Sequence, residues 1–77
     1  MDIKVLGSGC ANCRNTIALI EQVAAEKGVL VTLSKVQEMQ DIVAYGVMRT
    51  PGVVVDGKVV HAGGVPTRDK VAQWLSA

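Results

Sequence analysis

The chain has 77 residues, 49% of them hydrophobic, and a formal net charge of +1. This length predicts one domain, residues 1–77, with a small and regular core. The basic residues are scattered, which argues against nucleic acid as a partner. No apolar run approaches a membrane span, and the start "MDIKVLGSG" lacks the features of a secretion signal. We therefore expect a cytoplasmic protein that has no membrane partner.

The first third of the chain predicts a strand followed by a helix. "DIKVL" is a short apolar run, and the glycines of "GSG" end it in a tight turn. A helix should begin at the cysteines, and Gly28 should cap its C-terminus. Its apolar positions are spaced three and four apart, at Ile17, Ile20, Val23 and Ala24.

The middle of the chain predicts a second strand and a second helix. Val29 to Val36 is rich in β-branched residues, so a parallel β-α-β unit is the natural arrangement. A short helix ends before Gly46, and its apolar stripe should belong to the core. That stripe comprises Met39, Ile42, Val43 and Tyr45.

The last third predicts a hairpin and a final helix. Two β-branched runs between Gly52 and Gly64 flank Asp56-Gly57, a strong signal for a hairpin. Thr67 is a suitable cap for the last helix, whose buried stripe would be Val71, Trp74 and Leu75. The order β-α-β-α-β-β-α predicts an α/β fold with a four-stranded mixed sheet and helices on both faces.

The chemistry of the chain is concentrated in "GSGCANCRN", which holds its two cysteines, Cys10 and Cys13. A bridge between them would close a loop too short to add much stability, so a structural staple is a weak explanation. In a reducing compartment such a spacing more often serves metal binding or disulfide exchange. The residues alone leave both of these open.

The first part of the chain resembles the heavy-metal-associated domains of copper chaperones. The similarity lies in "GSGCANCRNTIALIEQVAAEKGV", although Ser8 stands where that family usually has Met. It would imply a module for soft metals such as Cu(I), Zn or As(III), held by the two thiolates. The similarity stops at about residue 36, and those domains end on a strand, whereas this chain ends on a predicted hairpin and helix.

Almost the whole chain resembles the thioredoxin fold, in particular the small thioredoxin-like proteins called redox-active disulfide protein 2. The motifs that carry this resemblance are "GSGCANC", "YGVMRTP" and "DGKVV". The resemblance implies a thioredoxin-like fold and a thiol-disulfide oxidoreductase or redox carrier, with no cofactor. The motif departs from many thioredoxins and glutaredoxins, because it has no proline between the cysteines and no Trp before Cys10.

The same resemblance assigns roles to four residues. Cys10 would be the nucleophilic thiol and Cys13 the resolving thiol, and the helix N-terminus would favour the thiolate of Cys10. Pro51 would be the cis-proline that faces the cysteines, and Thr50 would present its backbone to an extended substrate segment. The partners implied are a disulfide-containing protein or small molecule and an unidentified reductase.

Three other features of the sequence give weaker indications of function. "AGGVPTRD" is similar to the Gly-Gly and acidic cap by which glutaredoxins hold glutathione, with looser spacing, which suggests glutathione as a further partner. His61 lies in a predicted edge strand, and we expect it to be a solvated surface residue. Arg14 is likewise expected to be a solvated charge.

Overall fold

The computed structural model describes residues 1–9 and 11–76. Within these ranges the elements follow one another in the predicted order β-α-β-α-β-β-α. They are β1 (Asp2–Leu6), α1 (Ala11–Lys27), β2 (Thr32–Val36), α2 (Met39–Ala44), β3 (Gly52–Val55), β4 (Lys58–Ala62) and α3 (Arg68–Trp74). Among the described residues, no helix is long and apolar enough to span a membrane.

The four strands form one mixed sheet in the order β2-β1-β3-β4. β1 is parallel to β2 and antiparallel to β3, and β3 is antiparallel to β4. Asp56 and Gly57 both have positive φ, 48° and 85°, as a two-residue hairpin turn requires. The mixed sheet and the hairpin at Asp56-Gly57 are therefore confirmed.

Side chains alternate across the sheet and build a core on each face. On one face α1 and α3 cover the larger cluster, which contains Ile3, Val5, Ile20, Val23, Ala24, Val53, Val71 and Leu75. On the other face α2 covers a smaller cluster of Leu6, Ile42, Val47 and Val54. Consecutive strand residues point to opposite faces, so Val5 and Leu6 belong to different clusters. The expected α/β fold with helices on both faces is confirmed.

The second strand is shorter than its β-branched sequence suggested. β2 begins at Thr32, which pairs with Asp2, the first residue of β1. Residues before Thr32 have no strand beside them, because β1 extends no further in that direction. Val29 and Val31 nevertheless pack against the larger cluster, so their apolar character serves the core and not the sheet.

The prediction that the whole apolar stripe of α2 belongs to the core was wrong. Ile42 is buried, but Met39 and Val43 are 69% and 62% exposed, and Tyr45 is half-buried. A helix of six residues presents only one narrow face to the sheet. Met39 and Val43, four residues apart, lie on a side that the chain itself leaves uncovered.

Candidate functional site

Cys13 lies in the first turn of α1 and is almost completely buried, with 3% of its surface exposed. The helix begins at Ala11, after a turn in which Gly9 has a φ of 81° that favours glycine. The guanidinium of Arg14 donates a hydrogen bond of 2.8 Å to the carbonyl of Gly9, which ties the turn to the helix. Cys10, the predicted nucleophile, lies outside the described residues.

Gly7 is the point at which three segments of the chain meet. A Cβ atom built on Gly7 would overlap the Sγ of Cys13 and would lie 3.7 Å from the Cβ of Thr50. The N–H of Gly7 donates to the carbonyl of Val36 at 2.9 Å, which holds this position against the end of β2. The end of β1, the start of α1 and the loop before β3 therefore converge here.

The loop before β3 contains the other two predicted site residues. Thr50 is exposed, whereas Pro51 is fully buried. The peptide bond between them is cis, the conformation that the resemblance implied. The carbonyl of Pro51 accepts a hydrogen bond of 3.0 Å from the N–H of Gly63, in the turn after β4. The structure thus brings Cys13 and Thr50 together beside Gly7 and anchors Pro51 behind them.

Cys13 also borders a cleft of about 190 Å³ between α1 and β2. Among the described residues that line it, Arg14 and Lys35 are the cationic ones and none carries a carboxylate. The described residues that line the cleft are Val5, Gly7, Gly9, Cys13, Arg14, Ile17, Lys35 and Gln37.

The described part of the chain gives no ready metal centre. Among residues 1–9 and 11–76, no three or more His, Cys, Asp or Glu side chains are grouped so that they could hold a metal ion. Two thiolates would supply half of a tetrahedral zinc site. A zinc ion bound at the motif would therefore need two further ligands.

Two residues near the site were missed by the sequence reasoning. The sequence pattern indicates only a turn at Gly7, yet the missing side chain of Gly7 makes room for Cys13. His61 is half-buried, and its Nε2 lies 2.9 Å from the carbonyl oxygen of Gly64. His61, which we expected to be a solvated surface residue, is partly covered by the turn after β4 and by the ring of Trp74, whose centroid lies 6.0 Å away. Only the nearby pair of glycines hinted at such a turn.

Comparisons with known proteins agree with this architecture. A family model described as a thioredoxin domain matches residues 1–76. The chain is 32% identical over 76 residues to a thioredoxin of Methanothermobacter thermautotrophicus, with 99% of each chain covered. It is 28% identical over 75 residues to a thioredoxin of Methanocaldococcus jannaschii, which covers 97% of this chain and 86% of the relative.

These relatives confirm the thioredoxin-like prediction and support a redox role of the general thiol-disulfide oxidoreductase class. The narrower group, redox-active disulfide protein 2, stays a prediction. From its fold and from these comparisons, the chain belongs to the thioredoxin-domain family.

Proposed function

We propose that this protein is a thiol-disulfide oxidoreductase or redox carrier that works through Cys10 and Cys13. The observation that carries the proposal is the position of Cys13. Its buried thiol lies in the first turn of α1, beside Gly7 and close to the exposed Thr50. A shielded thiol next to a surface loop suits the resolving role, while the preceding cysteine of the motif meets the substrate.

The first step is an attack on the substrate disulfide. The thiolate of Cys10 forms a bond with one substrate sulfur, and the substrate S–S bond breaks. The other substrate sulfur leaves as a thiolate and takes up a proton. The product is a mixed disulfide between Cys10 and the substrate.

The second step releases the substrate. The thiolate of Cys13 attacks the sulfur of Cys10, and the bond between Cys10 and the substrate breaks. The substrate leaves as a dithiol, reduced by two electrons, and the protein keeps the Cys10–Cys13 disulfide. Arg14 and Lys35 line the same cleft as Cys13.

Substrate binding is assigned to the loop at Thr50 and Pro51. Thr50 is exposed beside the thiol site, and β3 begins immediately after Pro51. An extended peptide can pair with such a backbone by hydrogen bonds that demand little of its sequence. The proposed substrates are therefore disulfide-containing proteins, with small disulfides such as that of glutathione as further candidates. A separate dithiol reductase, in a reducing compartment such as the cytoplasm, would regenerate the thiols.

Serine variants of the two cysteines test this function. With insulin as substrate, Cys10→Ser should abolish reduction, because the remaining thiol, Cys13, is buried and cannot reach the substrate disulfide. Cys13→Ser should accumulate a mixed disulfide on Cys10, seen as an added mass that dithiothreitol removes. Ser8→Ala, an exposed change in the same turn that leaves both thiols in place, is the control and should keep the activity. Full activity of Cys10→Ser would exclude the mechanism.

The soft-metal alternative is tested separately. If the two thiolates hold Cu(I), Zn or As(III) in place of exchanging disulfides, the purified protein should contain stoichiometric metal. A chelator should then remove the metal and expose both thiols to alkylation. Metal-free protein that reduces insulin would reject this alternative.

A further inference from the structure

The turn after β4 is joined directly to the proposed substrate loop. Gly63 and Gly64 have φ values of 85° and 69°, which L side chains rarely adopt. In this conformation the N–H of Gly63 points at the carbonyl of Pro51 and donates a hydrogen bond of 3.0 Å. The backbone of the turn therefore fixes the backbone of the loop.

A second contact joins the same two segments. A Cβ atom at Gly63 would lie 3.3 Å from the Cβ of Arg49 and 3.7 Å from its Nε. The side chain of Arg49 therefore packs closely against Gly63. Arg49 immediately precedes Thr50 in the chain. The turn and the loop are therefore in contact at two points.

His61 contacts the same turn through its side chain. Its Nε2 lies 2.9 Å from the carbonyl oxygen of Gly64. A carbonyl oxygen can only accept a hydrogen bond, so Nε2 carries the proton and donates. The imidazole is half-buried, with its ring centroid 6.0 Å from that of Trp74 in α3, so packing restricts its orientation.

The strand that carries His61 is irregular at this place. His61 pairs with Val53, and the register between β3 and β4 shifts between Val53 and Val54. Such an irregularity changes the direction of a side chain relative to a regular strand and often lies beside a functional site. Here the shift falls next to the residue that holds the turn.

We propose that His61 is a positioning residue for substrate binding, acting through Gly64 and Gly63 on the backbone of Thr50 and Pro51. This inference rests on the proposed function, because it takes that loop as the surface that pairs with a peptide. In this proposal His61 acts on the loop and not on the reacting sulfurs. It lowers the KM for substrates that pair with the loop and leaves the chemical step unchanged.

Four matched variants test this role. His61→Leu removes the donor and should raise the KM for insulin about threefold to tenfold, as expected for one lost hydrogen bond, with kcat unchanged. His61→Gln keeps an amide donor of similar reach and should restore the KM, whereas His61→Asn is too short and should not. Val59→Ala, an exposed change on β4, is the control. Reduction of dithiobis(nitrobenzoate), which offers no peptide backbone, should be unaffected in all four variants.

Amide exchange measures the positioning itself. The Gly63 N–H should exchange about threefold to tenfold faster in His61→Leu and His61→Asn than in the wild type and in His61→Gln. Exchange at Val5, in the central strand β1, should not change. An unchanged Gly63 amide, an unchanged KM in folded His61→Leu or His61→Asn, or an equal loss with both substrates would overturn the inference.

These measurements distinguish a failure of the proposed function from a failure of the role of His61. If the wild type reduces neither substrate, the proposed function fails, and Gly63 exchange still decides whether His61 holds the turn. If the wild type reduces insulin and the three His61 variants share its KM, only the role of His61 fails.

Discussion

The Sγ of Cys13 occupies the space that a side chain on Gly7 would take. Gly7 follows the last residue of β1, and Cys13 lies in the first turn of α1, so the two elements approach closely at this point. The contact makes the absence of a side chain at residue 7 a requirement of the thiol site. Gly7 has no functional side chain, yet it provides the space in which the sulfur of Cys13 lies.

Gly7→Ala should therefore destabilise the protein by about 1–3 kcal/mol, because the added methyl overlaps the sulfur in a packed region. Urea unfolding of the reduced protein measures this loss. In the background of Cys13→Ala the same change should cost at least about 0.5 kcal/mol less, because the overlapping atom is gone. Equal costs in both backgrounds would show that the overlap is not the cause.

Thr67→Ala should lower the free energy of unfolding by about 1 kcal/mol. The Thr67 side chain caps α3 by accepting a hydrogen bond of 3.2 Å from the N–H of Lys70. Thr67→Ser keeps the hydroxyl and should retain most of the stability, as measured by urea unfolding. If both variants were equally stable, the cap would contribute nothing.

Ile20→Ala should lower the free energy of unfolding by about 2–5 kcal/mol, because Ile20 is fully buried in the larger cluster between α1 and the sheet. Leu30→Ala is the matched control on a side chain that is 92% exposed, and it should change stability by no more than about 0.5 kcal/mol. Thermal or urea unfolding compares the two. A similar loss of stability in both variants would contradict the assignment of Ile20 to the core.

Lys4 should make stability depend on pH in the alkaline range. Its pKa is raised above the ordinary 10.5 by attraction to Tyr45 first, and then by Asp2, whose carboxylate lies 3.5 Å from Nζ. Because the folded-state pKa is raised, the contribution of Lys4 to stability is complete below its unfolded-state pKa. This contribution is lost as the pH rises through the folded-state pKa. The free energy of unfolding of the wild type should therefore be lower at about pH 11.5 than at about pH 9.

Two variants isolate this effect. Lys4→Met has no charge to lose, so its free energy of unfolding should decrease less between the two pH values than that of the wild type. Lys4→Arg stays protonated and should also show a smaller decrease than the wild type. The same decrease in all three proteins would assign the pH dependence to other groups.

Much of the fold follows from local patterns in the sequence. Asp56-Gly57 fixes the hairpin because both residues adopt positive φ, and the apolar spacing of Ile20, Val23 and Ala24 fixes the buried face of α1. The parallel pairing of β1 and β2 follows from the helix that separates them. These features depend on residues close in sequence.

The features that could not be predicted depend on contacts between distant segments. The fit of Cys13 against Gly7 depends on how closely α1 approaches the end of β1. The partial burial of His61 depends on the turn at Gly64 and on Trp74 from the last helix. The exposure of Met39 depends on how α2 is rotated on the sheet, which periodicity alone does not give.

The most direct test of the central claim is a redox titration of Cys10 and Cys13 in dithiothreitol and glutathione buffers. Alkylation and mass measurement give the fraction of protein with an intramolecular disulfide at each potential. The proposed function predicts one two-electron transition between about −180 and −270 mV, in the range of known dithiol carriers. Failure to form an intramolecular disulfide in any buffer would contradict it.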